Sequence, residues 1–288
     1  MTAKDTFFQV KTTLVAGGKI IDLAVPKVMG IINITPDSFF EGSRKQSEKD
    51  ILIQAEEMIN EGADFLDLGA YSSRPDAIDI SDEEEEKRLI PAVKSISAHF
   101  PEAILSIDTF RATIAEKAIG NGAHIINDIS GGSLDPKMFE TVGRLKVPYI
   151  LMHMKGTSQT MKKLSQYEDM VQEMSHYFSE KINSLKIAGV KDIILDPGFG
   201  FAKNIEQNYQ LLNHLEDFRL LGFPILAGLS RKSMIWKKLK IDANNALNGT
   251  TVLNTIALQR GASILRVHDV KEAKECIKLL TLLNSDHA

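Results

Sequence analysis

VMGIINIT (28–35), FLDLGA (65–70), ILSIDT (104–109), HIINDIS (124–130), YILMHM (149–154), IILDPG (193–198), PILAGLS (224–230) and SILRVHD (263–269) are short apolar stretches spread evenly along one chain. Each is rich in Ile, Leu and Val. Continuous apolar runs of this length suit strands buried on both faces, as in parallel sheets. Helical patterns fill the gaps between them. Ser47 to Asn60 carries Ile51, Leu52, Ala55, Met58 and Ile59 at helical spacing, with Gly62 as a C-terminal stop. Ser81, with Glu84 three residues on, reads as a capping box opening the next helix. The acid run 82–86 is read as a solvated first turn favourable to the helix dipole. Further helices are expected near 111–121, 136–145, 167–189, 204–221, 246–260 and 270–284.

Strands alternating with helices in one unbroken series predict a (β/α)8 TIM barrel, with a doubly wound sheet as the runner-up. Residues 6–25 alternate weakly around Gly17-Gly18 and read as a β-hairpin that closes the N-terminal end of the barrel. The expected organisation is a single domain over 1–288, with 1–27 as its N-terminal hairpin extension.

The length of 288 residues fits that barrel, because such folds usually run about 250 residues. Hydrophobic residues make up 43% and charged residues 25%, which excludes collagen-like, disordered and coiled-coil chains. The formal net charge of -4 argues against a general nucleic-acid binder but leaves room for an anionic substrate held by local cations. A lone Cys276 rules out a disulfide framework within the chain and suits a reducing cytosol. The opening MTAKDTFFQVKTTL lacks a cleavable leader pattern, and no apolar run approaches 18 residues. A soluble cytoplasmic enzyme with no membrane contact is expected.

In a barrel of this kind chemistry gathers where the strands end. Polar groups end all of the runs: Asn33, Asp67, Asp108-Thr109, Asn127-Asp128, His153, Asp196, Ser230-Arg231-Lys232, and Arg266 with His268. A buried polar group without a partner costs about 1–3 kcal/mol, so the whole set is hard to explain as packing. Singly, Asp67, Asp128 and His153 can each also be read as buried groups bonded to backbone. The set divides chemically. Asp108, Asn127 and Asp196 suit the donor-rich edge of a planar heterocycle such as a pterin or guanine. Arg74, Lys232, Arg266 and His268 suit phosphate or carboxylate, and the loops after the last two strands are the usual phosphate site of the fold. Asn33 and nearby carboxylates suit Mg²⁺ on a diphosphate. No dinucleotide fingerprint, P-loop or zinc-hydrolase motif is present.

The motifs MGIINITPDSF (29–39), DLGAYSSRPDA (67–77), SIDTF (106–110), INDISGG (126–132), LMHMKG (151–156), ILDPGFGFAK (194–203), GLSRKSMI (228–235), NGTT (248–251) and RVHDV (266–270) stand together in order. By them the chain resembles the dihydropteroate synthase family, folate-pathway enzymes that are the target of sulfonamides. The resemblance implies transfer of a pterin from 6-hydroxymethyl-7,8-dihydropterin diphosphate to 4-aminobenzoate, with release of pyrophosphate. It implies that Asp108, Asn127, Asp196 and Lys232 hold the pterin, with Met152 and Gly200 in the same binding region. It places Asn33, Arg266 and His268 around the pyrophosphate and Mg²⁺. Asp37, Phe39 and Glu41 fall in a first loop, and Ser73 and Arg74 in a second. Phe201, Lys232, Ser233 and Pro75 form the aminobenzoate wall. Asp37, Glu41, Arg74, Lys232, Arg266 and His268 are thus the residues expected to take part in the chemistry, and a homodimer is implied.

The chain departs from the family pattern at several positions. Tyr71 and Asp76 replace Glu and Gly, Ser73 replaces Thr, and Glu41 replaces Asp. Phe199 and Ala202 stand where Ile and Gly are common. A corrinoid-dependent methyltransferase domain and a barrel that binds without turnover are the alternatives. Asn33, the 35–39 loop, Lys232 and the Arg266/His268 pair argue against the first, and the complete ligand set against the second.

Overall fold

The computed structural model describes residues 10–34, 44–71, 79–157, 160–161 and 164–285. Two short strands come first, β1 (Thr13–Ala16) and β2 (Lys19–Asp22), paired antiparallel. Gly17 and Gly18 turn the chain between them with φ of 58° and 73°. Two successive positive φ values make the tight hairpin turn that glycine permits at little cost.

Eight parallel strands follow: β3 (Lys27–Asn33), β4 (Phe65–Gly69), β5 (Leu105–Asp108), β6 (Ile125–Asp128), β7 (Tyr149–Met152), β8 (Ile193–Asp196), β9 (Leu226–Ala227) and β10 (Ile264–Val267). Each coincides with one of the apolar runs to within a few residues. They pair in the order β8-β7-β6-β5-β4-β3-β10-β9. A parallel bridge from Leu195 of β8 to Ile225, next to β9, brings the two edges together. The Leu195 N–H donates to the Pro224 carbonyl at 2.9 Å across that seam. The sheet is therefore a near-closed barrel rather than the open doubly wound alternative.

Helices α1 (Arg44–Asn60), α2 (Asp82–His99), α3 (Ala112–Ile119), α4 (Met138–Leu145), α5 (Met170–Ile187), α6 (Ile205–Asn213), α7 (Ser233–Leu239), α8 (Leu247–Gln259) and α9 (Val270–Ser285) surround it. Their apolar faces and the outward faces of the strands form the main core, in which Phe178, Phe199 and Phe218 are fully buried. A second core plugs the bottom of the barrel. Leu14, Ala16 and Leu23 from the hairpin region meet Met29, Phe65, Ile104, Ile125, Ile150, Ile194, Leu226 and Ile264, one from each barrel strand or its approach. The hairpin thus closes the N-terminal end, as its pattern and place in the chain imply. With that end sealed, the open end is where the strands stop.

Three local expectations are corrected. Residues 204–221 are not one helix: α6 stops at Asn213 and a 3-10 turn, Leu215–Leu221, carries the rest. Helix α7 was not expected, because SMIWKKL is short and follows directly on a polar strand end. The acid run 82–86 is not wholly solvated. Ser81 does cap α2, its hydroxyl accepting from the Glu84 N–H at 3.3 Å. But Glu85 is completely buried, accepting from Thr109 Oγ1 at 2.7 Å and from the Arg111 guanidinium.

Candidate active site

The polar groups on or just past the strands are mostly buried and satisfied by one another or by backbone. Asp67 on β4 is completely buried and faces Arg266 on β10, whose Nε donates to Asp67 Oδ2 at 2.6 Å. The Arg266 Nη2 reaches Asp108 Oδ2 at 2.8 Å. Asn127 on β6 donates from Nδ2 to the same Asp67 oxygen at 3.0 Å. Asp67 Oδ1 is buried with no donor among the described residues. An orphaned buried carboxylate oxygen is the kind of atom that a ligand hydroxyl or N–H completes.

Charge states follow from this crowding. Burial pushes the Asp108 carboxyl up to about 7 against the pull of Arg266, with the charge of Asp67 adding to the rise. Arg266 loses hydration by burial, but Asp67 and Asp108 more than offset it and hold the guanidinium above its usual range. Asp196, at the end of β8, is raised by burial, and its Oδ1 accepts from the Gly198 N–H at 2.7 Å. Burial brings Lys232 down to about 8, opposed by the carboxylate of Asp196. The Lys232 ammonium donates to the Phe199 carbonyl and stands 5.0 Å from the centre of the Phe201 ring.

On the other rim, burial lowers His268 to about 4, and the charge of Arg266 adds to the effect, so the ring is neutral near pH 7. Ser230 Oγ lies 3.0 Å from His268 Nδ1 and accepts from the His268 backbone N–H at 3.2 Å. With the hydroxyl donating to Nδ1, the neutral ring carries its proton on Nε2. Arg231, at φ 54°, is committed elsewhere: its Nε and Nη2 hold Asp269 at 2.9 and 2.7 Å.

A small apolar group completes the mouth. Ile129, Met152, Met154, Met161 and Ala202 cluster together, with Phe110 and Phe201 packed against them partly buried. Apolar side chains beside a few convergent polar groups are the usual lining of a small-molecule site. Gly200, at φ 82°, lies close enough to Lys232 that a side chain there would press on it. Ser233 opens α7 next to Lys232. Asn33 ends β3 with an exposed side chain. A single amide oxygen suits Mg²⁺, which takes most of its ligands from water and phosphate. Among the described residues, no three or more His, Cys, Asp or Glu side chains gather into a metal cage.

The structure thus brings Asp108, Asn127, Met152, Asp196, Phe201, Lys232, Arg266 and His268 to one end of the barrel. Asp37, Phe39, Glu41, Ser73, Arg74 and Pro75 lie outside the described residues, as does Asp76. The expected separation into ring binders and anion binders is incomplete, because Arg266 is already ion-paired with Asp67 and Asp108. Asp128 follows its structural reading, while His153 is buried but meets the Lys203 ammonium at 3.2 Å through Nδ1 rather than a backbone group. Asp128 accepts from Ser130 N, Gly132 N and Tyr149 Oη at 2.7, 2.9 and 2.7 Å. His153 is 2% exposed beneath the mouth, and burial holds it neutral.

Two features escaped the sequence reading. Lys203 is nearly buried, and burial brings it down to about 7. A lysine closing the run 194–203 was the available signal. The Glu85–Arg111 pair also lies near the mouth, where the Arg111 guanidinium sits 4.9 Å from the centre of the Phe110 ring and 5.6 Å from that of Tyr71. Tyr71 packs edge-on against Phe110 at 4.9 Å. The aromatic residue that replaces the usual Glu therefore sits against a cation.

Comparison with known proteins agrees with this picture. The family model described as pterin binding enzyme matches residues 29–268. Dihydropteroate synthase of Escherichia coli (strain K12) is 42% identical over 269 residues, covering 93% of this chain and 95% of that protein. The structure of Xanthomonas albilineans dihydropteroate synthase with 4-aminobenzoic acid superposes with a TM-score of 0.87 at 36% identity, covering 95% of this chain and 98% of that one. A structure of the same bacterium's enzyme in complex with 7,8-dihydropteroate superposes with a TM-score of 0.84 at 34% identity, covering 95% and 99%.

Proposed function

The chain belongs to the pterin-binding enzyme family, and we infer from that membership and from the barrel mouth that it is a dihydropteroate synthase, a transferase of folate biosynthesis. The observation that carries the reading is the arrangement of Asp108, Asn127, Asp196 and Lys232 around one end of the barrel with Arg266 and His268 beside them. It joins acceptors for a heterocycle edge to cations for a leaving diphosphate.

Asp196, Asn127 and Asp108 accept from the pterin ring edge, and a carboxylate facing a ring N–H and an exocyclic amine makes two parallel charge-assisted bonds. Met152 supplies apolar contact to the pterin rings, and Phe201 walls the aminobenzoate side. Lys232, beside Asp196, fixes the pterin against the Phe201 side. Arg266 and the Nε2–H of His268 face the diphosphate and stabilise charge as it develops on the departing pyrophosphate. Asn33 would hold Mg²⁺, which when bound neutralises part of the diphosphate charge. The pterin C–O bond breaks, the pyrophosphate leaves with the bonding pair, and the aminobenzoate nitrogen forms the new C–N bond and then releases its proton. An aromatic amine attacks in its neutral form, so positioning by Phe201, Lys232 and Ser233 outweighs deprotonation. Asp37, Glu41, Ser73, Arg74, Phe39 and Pro75 complete the site from the two loops in this reading. Sulfonamides, as aminobenzoate mimics, would compete for the same wall.

The chain also works as a homodimer in this reading. Val252 on α8 and Leu279 and Leu283 on α9 are 50%, 63% and 67% exposed, an apolar surface on two helices packed against each other. No helix among the described residues is long and apolar enough to cross a membrane, and the lone Cys276 suits a cytoplasmic setting. The reaction is tested by incubating the protein with Mg²⁺, the pterin diphosphate and 4-aminobenzoate and following 7,8-dihydropteroate by mass. Product that needs all components supports the synthase; its absence refutes it.

A further inference from the structure

The β8–α6 loop, residues 197–204, is held in an unusual shape. Gly198, Gly200 and Ala202 take φ of 70°, 82° and 48°, so every second residue is left-handed. For Ala202 this is a strained conformation that its side chain opposes. A side chain on Gly198 would collide with the His153 carbonyl. Such a loop persists only where its surroundings over-determine it.

The ammonium of Lys203 does this from inside. It lies 3.1 Å from the Gly198 carbonyl, 3.0 Å from the Phe201 carbonyl and 3.2 Å from His153 Nδ1. Three donors thus meet three acceptors. Other contacts pin the rest: Gly200 N donates to Asn208 Oδ1 at 2.6 Å, Tyr167 Oη to the Ala202 carbonyl at 3.1 Å, and Lys232 to the Phe199 carbonyl. His153 is itself fixed edge-on against Tyr177, ring centres 4.9 Å apart. The Phe201 N–H also donates to the Gly198 carbonyl at 3.1 Å, and Lys203 adds to that turn a tie to His153, just past the end of β7.

We propose that Lys203, seated on His153, is a positioning residue that holds Phe201 beneath Lys232 and so sets the affinity for the aromatic amine substrate. This rests on the synthase reading, in which Phe201 walls the aminobenzoate side. Lys203 itself is 9% exposed and works through the Phe201 carbonyl, away from the reacting atoms. The effect should therefore fall on one substrate and leave the other largely untouched.

The test uses Lys203→Met, which keeps the apolar stem and removes all donors, with Lys203→Arg and His153→Asn as conservative variants. His153→Asn keeps an acceptor near the position of Nδ1. Lys203→Met should raise KM for 4-aminobenzoate about tenfold or more, since a small misplacement of a wall costs that much, while KM for the pterin diphosphate changes by less than about threefold. Lys203→Arg and His153→Asn should recover most of the loss. Equal changes in both KM values, or an unchanged aminobenzoate KM in a folded variant, would overturn the proposal. A crystal structure of Lys203→Met or, if that variant does not fold, of Lys203→Arg reads the loop without turnover. Displacement of Phe201 from Lys232 in the former, or a retained Phe201 position with the arginine bonded to both carbonyls in the latter, supports the proposal. An unmoved loop in Lys203→Met, or an unmoved loop with the arginine side chain turned away, contradicts it. An inactive wild-type protein would instead refute the synthase reading, leaving the loop structures to decide the role of Lys203.

Discussion

Arg266 donates from Nη2 to Asp108 at 2.8 Å, so the strongest cation of the site is tied to a carboxylate of the ring-binding set. Its Nε is tied to Asp67 as well, at 2.6 Å. The pairing gives Arg266 two duties in the proposed reaction: it neutralises two carboxylates at the barrel mouth and faces the leaving diphosphate.

Arg266→Ala should therefore lower stability as well as activity. It leaves Asp67 and Asp108 without their cation, although Asp67 keeps the Asn127 amide, and breaking a buried pair costs about 3–5 kcal/mol. Arg266 retains 21% exposure, which places the loss near the lower end, about 3 kcal/mol. Urea unfolding measures it. The same variant should lose affinity for the pterin diphosphate more than for the free pterin; equal losses would remove the anion role.

Asp196→Asn should weaken pterin binding by about 1–3 kcal/mol, the cost of a lost charged hydrogen bond, with little change in melting temperature. Titration calorimetry with a free pterin reads it. Unchanged affinity would take Asp196 out of the site.

The pH profile of kcat/KM for the pterin substrate should be a bell. It should rise as Asp108 ionises near 7 and fall as Lys232 loses its proton near 8. Stability carries the signature of the raised Asp108. Between its ordinary value of 3.8 and about 7 the native state keeps a proton that the unfolded chain releases, so this group erodes stability as pH rises through that window and no further above it. Unfolding of Asp108→Asn should lack that component of the slope. A flat kinetic profile from pH 6 to 9 would contradict both assignments.

Glu85→Ala should destabilise the fold by about 3 kcal/mol, because it removes the fully buried carboxylate that pairs with Arg111, whose side chain is 12% exposed, and leaves the Thr109 hydroxyl without its acceptor. Near-UV circular dichroism should also change, since Tyr71 and Phe110 pack around that guanidinium. A variant as stable as the wild type would show that Asp82, which also pairs with Arg111 at 2.7 Å, suffices alone.

Much of this architecture was legible because barrel strands are buried on both faces and so read as uninterrupted apolar runs. The polar residues that end them then marked the open end. The partnerships were not legible. Nothing in the chain says that Arg266 faces Asp67, because those residues are 199 positions apart and meet only when β10 pairs with β3 and β3 with β4. Glu85 was hidden in a run of five acids, where local charge favours a solvated helix start and only tertiary packing selects the one that turns inward. Lys203 was missed for the opposite reason: lysines are rarely buried, and two of its three acceptors are backbone carbonyls, which carry no sequence signal.

The central claim, that this barrel mouth joins a pterin diphosphate to an aromatic amine, is tested most directly by pyrophosphate release. Protein, Mg²⁺, the pterin diphosphate and 4-aminobenzoate together should release pyrophosphate steadily, and Asp196→Asn and Arg266→Ala should slow it. Release no faster than in the absence of protein would contradict the account.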